Sequence, residues 1–312
     1  MPADRAAAQI GLGLAALGRP GYINLGHGDD VEDTDVERME RAAHDVLDAA
    51  YDAGVRAFDA ARSYGRAEAF LATWLEHRGL GRDDVQVSSK WGYAYTAGWR
   101  VDADEHEVKE LTAAQLRRQW AETRELLDGH VRLYQIHSAT VESGVLEDEE
   151  VRAELAGLRE RGVRVGLTVT GARQAETIER ALEVGGFDSV QATWNLHERS
   201  TSRALAFAHD ARLYVMVKEA LANGRLTARG GDPALAAAAR ERGTTEDAVA
   251  LAAALAQPWA DLVLSGAATV AQLQSNLAAR DLAWDDELEE RLAGLVEDPD
   301  EYWDTRGRLP WN

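Results

Sequence analysis

Short apolar runs alternate with longer stretches whose apolar residues recur every three or four positions, and this continues from residue 9 to about residue 279. QIGLGL (9–14) precedes a helical pattern from about Val36 to Ala53, which Gly54 stops before the run VRAF (55–58). The unit then recurs. AEAFLATWLEHRG leads to VQVSS (85–89), LTAAQLRRQWAETRELLDG to VRLYQI (131–136), and EDEEVRAELAGLRERG to VRVGL (163–167). ARQAETIERALEVGG leads to FDSVQA (187–192), RALAFAHDA to RLYVMV (212–217), and TEDAVALAAALAQP to ADLVLS (260–265), with TVAQLQSNLAA as a last helix. The short runs are β-branched and apolar with little alternation, as in strands covered on both faces. Eight strand-helix units without a composition break predict one domain, residues 1–312, folded as an α/β (β/α)8 TIM barrel with long rim loops and a C-terminal tail. An open doubly wound sheet is the competing architecture, but no GxGxxG follows an early strand to open a helix. Two segments read as non-helical, the aromatic-rich 91–107 and the tail 298–312 with Tyr302, Trp303 and Trp311.

Composition narrows the functional classes. Thirty-four basic against 54 acidic residues leave a formal charge of −20, which argues against a nucleic-acid or anionic-membrane partner. The absence of cysteine excludes disulfides and thiolate chemistry, and no apolar run reaches membrane-span length. The start MPADRAAAQIGLG lacks the basic and apolar regions of a signal peptide, so a cytoplasmic location is expected. His27, His106, His130 and His197 show no ligand spacing, and no metal is assigned.

In such barrels the chemistry sits where strands end. The polar residues there are Asp59 and Tyr64 after the second strand, Lys90 after the third and His137 after the fourth. Thr168 follows the fifth, Trp194 and Asn195 the sixth, Lys218 and Glu219 the seventh, and Ser265 to Ala267 the eighth. Only three lysines occur in the chain, Lys90, Lys109 and Lys218, so a lysine at a buried strand end suggests a need for a compact ammonium. A phenol beside an ammonium has its pKa lowered, and Tyr64 near Lys90 would then serve as a proton donor, with Asp59 orienting the lysine and His137 bonding a substrate oxygen. Singly, each has a structural reading: Asp59 as a turn cap, Tyr64 as a packed ring, His137 as a core histidine. Neither GxSxG nor HExxH is present to support a hydrolase. Trp91, Tyr93 and Trp99, with Tyr95, are either loop packing or a wall of the substrate pocket, and the wall is the expectation carried forward.

The segments VRAFDAARSYG, VSSKWG and LYQIH resemble the aldo-keto reductase pattern around its catalytic Asp and Tyr, Lys, and His. VQATWNLHE, VKEALANGRLT and LSGAATVAQLQSNL continue the resemblance over nearly the whole chain. The resemblance implies a nicotinamide cofactor lying across the barrel rim and the interconversion of an aldehyde, ketone or sugar with an alcohol. It makes Tyr64 the general acid/base, with Asp59, Lys90 and His137 completing the catalytic set. It places Gln191, and Thr168 through its hydroxyl, against the nicotinamide carboxamide, and Lys218 beside the ring. Leu221, Asn223, Gly224, Ser265, Gly266, Ala267, Gln272 and Asn276 would hold the rest of the cofactor. The family's habit is NADP(H). Gly266 and Gln272 stand where it often carries Lys and Arg for the 2′-phosphate, so NAD(H) is also accommodated. A locally positive rim near Lys90, Lys218 and Arg225 is expected to admit the anionic dinucleotide. A cofactor-binding sensor with little turnover is the alternative on the same barrel; no partner other than a small carbonyl or alcohol is implied.

Overall fold

The computed structural model describes residues 8–31 and 33–312. The chain runs β1 (Gln9–Gly13), α1 (His27–Asp30), α2 (Val36–Asp52), β2 (Ala57–Asp59), α3 (Ala67–Arg78) and β3 (Gln86–Trp91). It continues with β4 (Tyr93–Tyr95), β5 (Glu107–Lys109), α4 (Ala113–Leu127), β6 (Val131–Ala139), α5 (Glu149–Glu160), β7 (Arg164–Val169) and α6 (Gln174–Val184). β8 (Ser189–Thr193), α7 (Ser202–Asp210), β9 (Tyr214–Lys218), α8 (Pro233–Arg242), α9 (Glu246–Leu255) and β10 (Leu262–Ser265) follow, and α10 (Val270–Leu277), α11 (Asp286–Leu292) and α12 (Pro299–Gly307) end it. Eight parallel strands close in the order β1-β10-β9-β8-β7-β6-β3-β2, the barrel that the repeating pattern predicts. Among the described residues no helix is long and apolar enough to cross a membrane.

The helices form where amphipathic stripes meet a cap. In α2 the buried Met39, Ala43, Val46, Leu47 and Ala50 recur at helical spacing, and the Asp35 carboxylate accepts the Arg38 N–H at the helix start. Asp148, Asp232, Asp285 and Asp298 cap α5, α8, α11 and α12 in the same way, which gives part of the acidic excess a structural role. Each such cap contributes about 1 kcal/mol.

Side chains alternate across each strand, and one set points into the barrel. At its lower end Ala57, Leu133, Met216, Leu262 and Leu264 form a small apolar cluster of their own, with Tyr214 packed on it. Two residues further along β2 and β6, Asp59 and Gln135 take their places, and Gln191 of β8 lies level with Met216; all three are buried polar residues. The outward set, including Phe58, Val87, Ile136 and Val217, joins the main core beneath the helices. The strand ends run further than the sequence pattern suggests: Lys90 lies inside β3 and His137 inside β6. The segment 91–107 is partly ordered as an antiparallel hairpin of β4 and β5, and the tail contains the helix α12.

The turn after β1 packs directly on the turn after β2. A Cβ at Gly18 would stand 2.3 Å from the Tyr64 carbonyl oxygen and 2.5 Å from the Ala67 Cβ. Gly18→Ala is therefore expected to cost about 1–3 kcal/mol in a urea melt and to displace the Tyr64 turn; unchanged stability would show that this contact is slack.

Candidate active site

The buried carboxylate of Asp59 organises the barrel mouth. Its Oδ1 accepts from Ser88 Oγ at 2.6 Å and from Gln135 Nε2 at 3.3 Å, while Oδ2 accepts from Lys90 Nζ and from Gln191 Nε2 at 3.3 Å. The register accounts for this convergence: Asp59 pairs with Ser88 across β2 and β3, and Lys90 pairs with Gln135 across β3 and β6. Lys90 Nζ also donates to the Ala60 carbonyl at 2.9 Å and lies 4.8 Å from the centre of the Tyr64 ring. On the other side, the Tyr64 hydroxyl is 3.5 Å from His137 Nε2, and His137 Nδ1 is 3.5 Å from Ser63 Oγ. The backbone is left-handed at Ser138 (φ 56°) and Glu219 (φ 54°), immediately after His137 and Lys218. Such conformations cost energy and tend to mark sites that fix a side chain's direction.

Burial sets the protonation states. Burial, then the Asp59 carboxylate, pushes the Tyr64 phenol well above its ordinary range, with Arg19 only partly opposing. Proximity of Lys90 therefore does not give the lowered phenol pKa that the sequence suggests, because burial and the Asp59 carboxylate outweigh it. Burial, followed by the charges of Lys90, Lys218, Arg19 and Lys109, keeps His137 well below its usual value and so neutral. Lys218, whose Nζ donates to Thr193 Oγ1 at 2.9 Å, is brought down to about 8 by burial, with Arg306 and Lys90 adding to the effect and Glu219 opposing it. Glu219 itself is held at about 2: burial opposes ionisation, but Arg306, bonded to it at 2.5 Å, and Lys218 outweigh it.

Asp59, Tyr64 and His137 all face one cavity of about 610 Å³ that extends along the mouth to the start of α10. Residues 9–297 match the model of the aldo/keto reductase family. The chain belongs to the aldo/keto reductase family. The uncharacterized oxidoreductase YqkF of Bacillus subtilis is 24% identical over 262 residues, which cover 75% of this chain and 80% of that protein. Among solved structures, the holo form of aldo-keto reductase AKR11C1 from Bacillus halodurans superposes with a TM-score of 0.72 at 19% identity over 95% of each chain. The glycerol dehydrogenase AKR11B4 from Gluconobacter oxydans gives 0.71 at 21% identity over 94% of this chain and 92% of that one.

The aldo-keto reductase cavity collects most of the residues singled out in the sequence. Gln191, Lys218, Leu221, Asn223 and Gly224 line it, as do Ser265, Gly266, Ala267, Gln272 and Asn276, and so does Tyr93. Thr168 does not: its hydroxyl accepts the Ser138 N–H at 2.7 Å and is fully buried, while Thr170 reaches the cavity in its place. Trp91 follows inward-facing Lys90 and so points outward into the core, where it is fully buried, away from any pocket wall. Trp99 packs on Phe70 and donates its Nε1–H to the Thr34 carbonyl, also outside the cavity. Of the three cations expected at the rim, Lys218 lines the cavity, Lys90 is held by Asp59, and Arg225 is held by Glu297 away from the lining.

Several lining residues lie outside the sequence motifs. Arg19 is buried against the rings of Tyr22, Tyr64 and Trp311 and bonds Glu107 at 3.0 Å. Trp311 stacks on His106 at 4.0 Å, so the aromatic tail and the β4–β5 hairpin meet at the cavity wall. A signal for Trp311 existed in the aromatic tail; Arg19 and Glu107 had none, because only the fold brings them together.

Lys90→Met is expected to cost about 3–5 kcal/mol of unfolding free energy, since it leaves the Asp59 carboxylate buried and uncompensated; a loss below about 1 kcal/mol would mean that the pair is structurally dispensable. The Lys218 ammonium is disfavoured in the folded state relative to its ordinary value of 10.5. Between about pH 8 and 10.5 the unfolded chain holds a proton that the folded chain has released, so stability should rise with pH across that window, by up to about 3 kcal/mol, relative to Lys218→Met. Parallel denaturation curves in that window check the sign.

Proposed function

We propose that this aldo-keto reductase interconverts a carbonyl (aldehyde, ketone or sugar) and the corresponding alcohol with a nicotinamide dinucleotide, and that Tyr64 is its general acid/base. The observation that carries the reading is a protonated phenol and a neutral imidazole, 3.5 Å apart, facing one cavity with the Lys90–Asp59 pair behind them.

The residues fit a dinucleotide. The cavity lies within the roughly 300–1,000 Å³ typical of ligand sites, and Asn223, itself buried, leaves its Oδ1 without a partner in the lining. Ser265 to Ala267, Gln272, Asn276, Leu221, Asn223 and Gly224 would hold the phosphate and adenosine parts, leaving Gln191 and Lys218 at the nicotinamide end. A nicotinamide dinucleotide held there would supply the hydride taken up at the carbonyl carbon, or take one from the alcohol carbon in the reverse direction.

The protein's own part is the proton. In reduction the Tyr64 O–H bond breaks toward the carbonyl oxygen, which becomes the alcohol hydroxyl. A phenol pushed above its ordinary range holds that proton at neutral pH until charge develops on the substrate oxygen. The Lys90 ammonium near the Tyr64 ring then stabilises the phenolate. His137, kept neutral, has one ring nitrogen toward Tyr64 and orients the same oxygen without donating a full charge. Arg19, Tyr22, Tyr93 and Trp311 exclude water from the substrate side.

Tyr64→Phe should reduce single-turnover hydride transfer by about 10²–10⁴-fold or more, while dinucleotide affinity, read by fluorescence titration, stays within about threefold. A panel of aldehydes, ketones, sugars and polyols supplies the substrate. Unchanged turnover in this variant would remove Tyr64 from the mechanism.

A further inference from the structure

The far end of the cavity is closed by a bridge between two rim segments that lie about two hundred residues apart in the chain. Leu25 N–H donates to the Asn223 carbonyl at 3.0 Å, and Arg229 Nη1 donates to the Leu25 carbonyl at 2.9 Å. The Arg229 guanidinium also grips Asp30 through both nitrogens at 2.6 Å. Asp30 Oδ2 accepts a further bond, at 2.7 Å, from Nε2 of Gln272 in the first turn of α10. Gln272 is fixed in turn, because its Oε1 accepts the Ala268 N–H at 2.9 Å. The carboxylate is thus held by two elements against the start of α10, and Asp30, Arg229 and Gln272 all line the cavity.

A helix start with an open loop before it favours a phosphate, so this end would suit a phosphorylated ribose if its side chains were cationic. They are not. Arg229 and Asp30 cancel as a pair, Gln272 is neutral, and the Asp247 carboxylate leaves these lining groups net negative. The Asp30 side chain is only 14% exposed, so solvent and salt screen it incompletely. A carboxylate in that position accepts hydrogen bonds from vicinal ribose hydroxyls, whereas a phosphate ester on the 2′-oxygen brings like charge against it.

We propose that Asp30 is a specificity-determining residue that selects NAD(H) over NADP(H), by accepting hydrogen bonds from the adenosine ribose and repelling a 2′-phosphate. The inference rests on the dinucleotide reading above. Burial opposes ionisation of Asp30, but the bonds from Arg229 and Gln272 outweigh it and hold the carboxyl below its ordinary value, so the charge is present at neutral pH.

Fluorescence titration of the full chain with NADH and with NADPH, at matched ionic strength, tests it. The wild type should bind NADH at least tenfold more tightly than NADPH. Asp30→Ser removes the carboxylate and frees Arg229, so NADPH affinity should rise at least tenfold while NADH affinity falls. Asp30→Asn keeps the side-chain size, and its thermal melt guards against a folding defect. Arg229→Gln leaves the carboxylate uncompensated and should widen the preference for NADH, an effect that mere loosening of the bridge would not produce. Equal or tighter NADPH binding by the wild type overturns the inference, as does an equal change for both dinucleotides in the Asp30 variants. If the wild type binds neither dinucleotide, the proposed function fails, and the inference with it.

Discussion

The Asp59 carboxylate is the constraint on which the rest of the barrel mouth depends. Taking a charge out of water inside a protein is costly, and it is tolerated here because four donors from β3, β6 and β8 converge on it. Those donors fix the relative heights of the strands at their polar ends. They also leave the Lys90 ammonium held at one distance from the Tyr64 ring. Protein stability and the proton chemistry proposed for Tyr64 thus rest on the same small network.

The division of labour along the barrel axis follows from that network. An apolar plug built from Ala57, Leu133, Met216 and Leu262 fills the lower lumen, and Leu264 of the same cluster reaches the cavity lining. Moving two residues along the strands exchanges hydrocarbon for carboxylate, amide and ammonium, and the open cavity begins there. The left-handed Glu219 follows the last residue of β9, and the left-handed Ser138 sits at an irregularity in the register of β6. Glu219 then receives Arg306 from α12, which ties the tail to the rim.

Much of this was legible in the sequence. The eight strands were readable because strands buried on both faces leave short uninterrupted apolar runs, and Asp59, Tyr64, Lys90 and His137 stood out as polar residues where such runs end. Trp91 was misplaced although strand alternation carried the answer: with Lys90 facing inward, its neighbour must face the helices. Thr168 has the right parity, but the Ser138 N–H that occupies its hydroxyl follows from a backbone turn in another strand. Glu107, Asp30 and Arg229 were illegible for a deeper reason. Their partners lie 88 to 242 residues away, beyond the reach of any local periodicity.

The pairing of charges around the cavity has a kinetic consequence. With the mouth's cations largely neutralised by their partners, the field felt at a distance is that of a protein with formal charge −20, and it opposes an approaching anion. Short buried contacts are little affected by salt, whereas the long-range repulsion is screened over roughly 10 Å at 0.1 M ionic strength. Association of an anionic ligand should accordingly accelerate as salt is added, the reverse of electrostatic steering, until the residence time set inside the cavity governs affinity.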